Sequence, residues 1–212
     1  MWEFWDKIYC INLDRRPDRW QECLIEFDRL KLTNFINRFS GIDMAHGGMG
    51  CYASHIAVME EAIKNNYEHV LILEDDVKFF VDLTTLEKSF NDLIKQDWDV
   101  FFVGTRPKGV IKKITDNLTR ISGGSCTHAI GYNKRALNLC HQSLVEQFKK
   151  NNPPHYFVPI DNVGVYECIS ELNCFSPYPL ACVQRKSYSD LRDEITDFGQ
   201  DNVREYENNI EN

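Results

Sequence analysis

The sequence predicts an α/β chain built on a mixed sheet flanked by helices. Three observations carry that expectation. Short continuous apolar runs, His69-Val70-Leu71-Ile72-Leu73 above all, have the length and β-branched content of buried strands. Between the early runs, apolar residues recur at helical spacing, as in Trp20, Cys23, Leu24, Phe27 and Leu30. In the second half the apolar runs lie closer together, which suits a partly antiparallel sheet.

The elements follow in order. Tyr9-Cys10-Ile11-Asn12-Leu13 reads as a first buried strand, and Pro17 opens a helix at the position that suits proline. Gly41 to Gly50 reads as a loop. A second helix is predicted from Cys51 to Asn65, with Ile56, Met59 and Ile63 on one side. His69 to Leu73 is the clearest strand, and it ends in Glu74-Asp75-Asp76. Thr84 and Glu87 form a capping-box pattern for a helix through Lys95. Trp98 to Val103, Leu118 to Ile121 and Thr127 to Tyr132 read as strands. Asn133 caps a helix striped by Leu137, Cys140, Leu144 and Phe148. Beyond the Asn151-Asn152-Pro153-Pro154 loop, a short helix is expected over Asn162 to Ser170. Brief strands then cover Leu172 to Phe175 and Leu180 to Gln184.

Composition bounds the function. With 212 residues, 43% hydrophobic and 12% aromatic, the chain has enough apolar surface for one sizeable core, which excludes a disordered protein. The net charge is −8, and eight acids against two bases from Asp190 to Asn212 supply −6 of it. The remainder is close to neutral, so the basic footprint of a nucleic-acid binder is missing. The expected organisation is one domain over 1–192 and an acidic C-terminal tail over 193–212, either loose or packed as a helix around Val203 and Tyr206. The eight cysteines are scattered without a C-x-x-C pair, and several sit in apolar patterns as buried thiols do. No apolar stretch approaches a membrane span, and the first residues lack a basic-then-apolar leader pattern. A cytoplasmic location without an integral membrane segment is the expectation.

Two segments carry the chemistry. In open α/β sheets, ligands bind at the carboxyl ends of strands. Glu74-Asp75-Asp76 stands at such an end, and three adjacent carboxylates repel one another unless a cation or several donors are present. Hard oxygen ligands of this kind suit Mg²⁺ or Mn²⁺ held with waters and substrate phosphates. An isolated acidic triplet is ordinarily a solvated turn; the buried strand before this one favours the metal reading. The second segment, Asn12-Leu13-Asp14-Arg15-Arg16-Pro17-Asp18-Arg19, sets three arginines at a helix start, where free N–H groups and bidentate guanidinium groups attract anions. Surface pairing of Arg16 and Arg19 with Asp18 or Glu22 is the plainer alternative. Together the two segments point to a nucleotide diphosphate.

These residues resemble glycosyltransferase family 25, which includes bacterial lipooligosaccharide and procollagen galactosyltransferases. The resemblance runs through Ile11 to Arg19, Gly50-Cys51-Tyr52-Ala53-Ser54-His55, Val70 to Val77, Pro159-Ile160-Asp161, and Gln184 to Leu191, in the family's order. It implies a GT-A-type nucleotide-sugar-binding sandwich. It also implies inverting transfer of galactose or glucose from a UDP-sugar to a hydroxyl, on a glycan, glycolipid or hydroxylysine-type acceptor, assisted by Mn²⁺ or Mg²⁺. Glu74-Asp75-Asp76 takes the place of the family's Asp-x-Asp motif, with a glutamate for the first aspartate. By the resemblance Glu74 contacts the ribose and Asp76 binds the metal, while Asp75 helps with the metal or the donor. Asn12, Asp14, Arg15 and Arg19 lie near the uridine or diphosphate. Ser54 and His55, at a helix start, line the nucleotide pocket. Gly123-Gly124 gives close backbone approach and floors the donor-sugar site, or is an ordinary turn, and Gln184, Ser187 or Ser189-Asp190 completes the metal shell or closes over the diphosphate. Asp161 is the catalytic base, with a helix N-cap as its simpler role.

Two other classes share these features. A metal-dependent phosphohydrolase would use the same acidic strand end with water as acceptor, although the six histidines form no ligand cluster at motif spacing. A non-catalytic nucleotide-sugar-binding module would keep Arg15 and Asp76 without needing a base.

Overall fold

The computed structural model describes residues 1–107, 109, 111–151, 158–160, 171–189, 194–196, 206 and 210–211. In chain order the elements are β1 (Lys7–Asn12), α1 (Pro17–Arg29), β2 (Ile36–Ser40), α2 (Gly47–Lys64), β3 (His69–Glu74), β4 (Val77–Phe79), α3 (Leu83–Leu93), β5 (Val100–Pro107), β6 (Ile111–Lys113), β7 (Leu118–Ile121), β8 (Gly124–Asn133), α4 (Lys134–Lys150), β9 (Cys174–Pro177), β10 (Cys182–Gln184), β11 (Ser187–Ser189), β12 (Glu194–Thr196) and β13 (Ile210–Glu211). A nine-stranded sheet in the order β13-β6-β7-β9-β5-β8-β3-β1-β2 forms the middle layer. Strand β1 pairs in parallel with both β2 and β3, whereas β8 runs antiparallel to its neighbours β3 and β5. The fold is therefore the mixed α/β class that the apolar runs predict.

Two apolar layers fill the space on the two faces of the sheet. One packs Tyr52, Val58 and Met59 of α2 and Leu137, Cys140 and Leu144 of α4 against Tyr9, Ile72, Phe102 and Ile130. The other packs Cys23 and Phe27 of α1 and Leu86, Phe90 and Leu93 of α3 against Ile8, Cys10, Leu73 and Phe101. Alternate residues of β1 and β3 divide between the two layers, as the period of two in a strand requires. Strand β3 is buried from Val70 through Leu73, which is why it reads as a continuous apolar run.

Several boundaries differ from the sequence expectation. Helix α2 starts at Gly47, inside the stretch expected to be loop. His46 caps it, its Nδ1 accepting from Met49 N at 3.4 Å. Glycine's low helix propensity hides this first turn, and tertiary contact sets it: a Cβ on Gly50 would lie 2.6 Å from the Ile42 carbonyl oxygen. Helix α3 is capped by Asp82, whose Oδ1 accepts from Thr85 N at 2.8 Å, and not by Thr84. An ionised carboxylate there is a stronger acceptor than a hydroxyl. Edge strand β2 and the short strand β4 carry too little alternation to read.

The C-terminal region is tied to the sheet at its described residues. Strand β12 pairs with β11, and β13 pairs with β6. Tyr206 is fully buried; its hydroxyl donates to Pro177 O at 2.6 Å and also meets the Thr119 hydroxyl. The rest of 197–212, and with it the choice between a loose tail and a helix packed around Val203 and Tyr206, lies outside the described residues. The expected helix over 162–170 lies outside the described residues. No helix among the described residues is long and apolar enough to cross a membrane.

Candidate functional site

The pairing register brings four strand ends together. Asn12 aligns with Ser40, and Ile11 with Glu74, so β1, β2 and β3 finish side by side. Strand β5 runs alongside in the same direction as β3. The start of β8 crosses between them, with Arg106 opposite Ser125 and Leu73 opposite Ala129. The acidic triplet therefore stands where the carboxyl ends of four parallel strands meet, the usual ligand position in such a sheet.

Its three carboxylates have three different environments. Glu74 Oε1 meets His55 Nε2 at 3.0 Å and accepts from Thr127 Oγ1 at 2.5 Å. Burial pushes this carboxyl up, but the His55 and Thr127 bonds outweigh it and leave Glu74 below the usual carboxylate range. Asp75 has both oxygens engaged: Asn12 Nδ2 donates to Oδ2 and Arg19 Nη1 to Oδ1, each at 2.7 Å. Burial still holds its carboxyl above the ordinary value, with Arg19 and Asn12 opposing. Asp76 accepts from Gln184 Nε2 at 3.3 Å on Oδ2, while Oδ1 is buried without a hydrogen-bond partner among the described residues. Burial first, then the charges of Glu74 and Asp75, push the Asp76 carboxyl up to about 7.

The Gly50 to His55 segment supplies the wall beside Glu74. Ser54 Oγ accepts from Ile42 N at 2.8 Å and donates to Gly50 O at 2.7 Å, so Gly50 and Ser54 together grip the 41–46 loop. Cys51 and His55, four residues apart, share the helix face turned to Glu74. Both Ser54 and His55 lie well inside α2 and not at its start, because the helix begins at Gly47. No backbone N–H of theirs is free for a phosphate, and their contribution comes through side chains.

The arginines separate into distinct roles. Arg19 is committed to Asp75, both side chains being about 90% buried, with 12% and 10% exposure. It neutralises the triplet from within. Asp75 has a donor on each oxygen, Asn12 and Arg19, whereas Asp76 keeps one oxygen bare among the described residues. Arg15 pairs with Asp43 at 2.8 Å on the exposed rim, and Arg16 pairs with Asp18. Asp14 faces the same rim, accepting from Ser40 Oγ and pairing with Arg38.

Gln184 reaches Asp76 because β10 pairs antiparallel with β4, setting Gln184 opposite Val77. Gly124 is a buried strand residue whose close approach is to Thr105, where a Cβ would lie 1.9 Å from Oγ1. Its absent side chain serves the close β5–β8 pairing. Asp161 and Asp190 lie outside the described residues, and Ser187 and Ser189 fall in β11.

Three site residues escape sequence reasoning. Arg38 on β2 donates from Nε to Asn12 Oδ1 at 2.9 Å, completing a chain from Asp14 through Arg38 and Asn12 to Asp75. Thr127 orients Glu74. His128, fully buried, is held neutral by burial with its pKa pushed down to about 4. Only the run Thr-His beside a Gly-Gly hinted at the last two.

Comparison with known proteins finds similar sequences. Residues 31–106, which span β2 through most of β5, match the model of glycosyltransferase family 25 (LPS biosynthesis protein). Over that stretch the chain is similar to glycosyltransferase family 25. It is 27% identical over 190 residues to procollagen galactosyltransferase 2 of Mus musculus, covering 73% of this chain and 30% of that protein. It is 25% identical over 130 residues to the inactive glycosyltransferase 25 family member 3 of Homo sapiens, covering 48% of this chain and 22% of that protein. The chain thus spans less than a third of the length of these family 25 relatives. Among solved structures, it is similar to a glycosyltransferase involved in the glycosylation of the major capsid of PBCV-1. That match has a TM-score of 0.49 and 14% identity, and covers 80% of this chain and 79% of the other.

Proposed function

We propose that this chain is an inverting, metal-assisted glycosyltransferase that moves galactose or glucose from a UDP-sugar to an acceptor hydroxyl. One observation carries the reading: a bare, buried Asp76 oxygen beside two further carboxylates, where four strands end and an arginine rim opens. A buried anionic oxygen without a partner costs stability, and a hard divalent cation such as Mn²⁺ or Mg²⁺ is the group that fits it. Asp76 would hold that ion with Gln184 beside it, and the ion would supply Lewis-acid neutralisation of the leaving diphosphate.

The chain's own residues do the rest. Glu74, with Oε1 fixed by His55 and Thr127, offers Oε2 to a ribose hydroxyl. Arg15 exchanges Asp43 for the diphosphate and adds preorganised positive charge where negative charge grows. Asn12 and Arg38 hold Asp75 and Asp14 in place, keeping the arginine rim in register with the triplet. Asp161 removes the acceptor proton on the opposite face of the sugar, as the motif resemblance assigns. Glycans, glycolipids and hydroxylysine-type residues are the acceptor class. The free thiols of the seven described cysteines suit a reducing, cytoplasmic setting.

UDP release from UDP-glucose and UDP-galactose with Mn²⁺, with and without excess chelator, tests the reading; equal turnover in chelator sinks the metal role. A second reading, a donor-binding module without turnover, draws support from the relative named inactive. Asp161→Asn separates the two. On the catalytic reading, transfer falls by roughly 10²–10⁴ while UDP affinity holds. On the binding reading, the parent binds UDP and turns over nothing.

A further inference from the structure

We propose that Cys51, His55 and Glu74 form a second cation site, selective for thiophilic divalent ions of the zinc class and distinct from the hard-cation position at Asp76. Each of the three residues offers one donor atom, and these atoms all lie within 4.8 Å of one another. The set is thiolate, imidazole and carboxylate, which is zinc chemistry, whereas Asp76 and Gln184 present oxygen and amide groups only.

The fold builds the set from two rigid elements. Cys51 and His55 stand one turn apart on α2, and Glu74 is the last residue of β3. A tetrahedral zinc with bonds of about 2.0–2.3 Å holds its ligand atoms roughly 3.3–3.8 Å apart. His55 Nε2 and Glu74 Oε1 are already 3.0 Å apart, so side-chain movements of about an ångström close the set. Thr127 Oγ1 donates to Glu74 Oε1 and orients the carboxylate from behind, as outer hydrogen bonds do for metal ligands. Cys51 is only partly buried, so the ion has a way in.

Binding is a proton exchange without redox change. Cys51 gives up its thiol proton to solvent, and His55 binds as neutral imidazole through the Nε2 lone pair, its ring proton carried on Nδ1. Bonds form from the ion to sulfur, nitrogen and oxygen. The site itself requires nothing of the donor-nucleotide reading. Its consequence does rest on that reading: zinc on Glu74 withdraws the carboxylate assigned to the ribose, so zinc inhibits where manganese supports.

The test uses the full chain, reduced, with the metals alone. Zinc affinity is read by competition with a fluorescent chelator, cadmium by its thiolate charge-transfer band, and Cys51 by mass spectrometry after iodoacetamide treatment. One equivalent of zinc is expected to bind, to protect Cys51 from alkylation, and to be weakened roughly 100-fold or more by Cys51→Ser. Asp76→Asn should leave zinc affinity within a few-fold of the parent. Unchanged alkylation of Cys51 at saturating zinc, or a Cys51→Ser protein that binds zinc as tightly, overturns the site. The alkylation arm needs no variant to fold. A protein that binds zinc through Cys51 but shows no UDP binding supports the site and removes the nucleotide reading.

Discussion

Asp99, buried, and Asp76, half-buried with a buried Oδ1, both stand at strand ends, one before the start of β5 and the other just past the end of β3. Their surroundings differ in kind. Asp99 Oδ1 accepts from Asn133 Nδ2 at 3.1 Å, and its Oδ2 accepts from Arg135 Nη1 at 2.8 Å and Asn173 N at 2.9 Å. Around it the amino ends are closed by a packed aromatic group of Phe4, Trp5, Phe90 and Trp98, with His69 stacked on Phe4 at 4.2 Å. Asp76, at the carboxyl ends, has one 3.3 Å side-chain bond and one bare oxygen, with two other carboxylates as neighbours. A buried carboxylate whose oxygens are all bonded locks strands together. One left short of donors is held ready for a ligand, at a cost in stability.

The contrast is broken or sharpened by removing charge at each end. The largest effect is expected on transfer: on the proposed metal-assisted reading, Asp76→Asn should lower it by at least roughly 10²-fold, since that reading makes Asp76 the anionic ligand for the ion. Turnover within a few-fold of the parent would mean that Asp76 is not the metal carboxylate. Asp99→Ala should instead destabilise by about 3 kcal/mol, or roughly 6–12 °C in Tm, because three donors lose their acceptor. Thermal melts check it, and a shift under about 2 °C would erase the distinction between the two ends.

The same Asp76→Asn variant carries a pH signature in metal-free protein. With its pKa raised to about 7 in the fold from an ordinary 3.8, Asp76 penalises the native state fully above pH 7. The penalty fades as pH falls through 7, because the native state takes up a proton that the unfolded chain does not. Asp76→Asn should therefore raise stability by on the order of 2 kcal/mol, roughly 5 °C, near pH 8, with the gain shrinking toward zero near pH 4. The difference between variant and parent is the quantity to measure. His128, with its pKa near 4, and His69, also lowered, act in the opposite sense as pH falls below 6.5 and mask Asp76 in the parent's own curve. A gain that is level with pH would show that charge is not the cause. The smallest expected effect is at Thr127→Val. Losing one hydroxyl from Glu74 should cost about 1 kcal/mol in stability and weaken UDP binding only several-fold. A loss as large as that of Asp76→Asn would make Thr127 a donor contact in its own right.

The fold was legible to the extent that its elements are local. The continuous run at β3, the helical stripes of α1 and α4 and the cap at Asn133 each declare themselves within a dozen residues. The first turn of α2 did not, because its glycines obey a tertiary demand, the approach of the Ile42 carbonyl to Gly50. Edge strand β2 did not either, and Arg38 was missed along with it.

By itself, the sequence determined that an acidic triplet ends a buried strand, that arginines gather after the first strand, and that Gly50 to His55 accompanies them. Composition and periodicity suffice for this, since each is a property of neighbouring residues. Only the tertiary structure decided what each charge does. Arg19 reaches Asp75 across 56 residues, His55 reaches Glu74 across 19, and Gln184 reaches Asp76 across 108. Which carboxylate is neutralised, which is oriented and which keeps a bare oxygen depends on those long-range contacts, and no local pattern encodes the outcome. Three chemically similar side chains in a row acquire different roles because the strand end presents each of them to a different part of the fold.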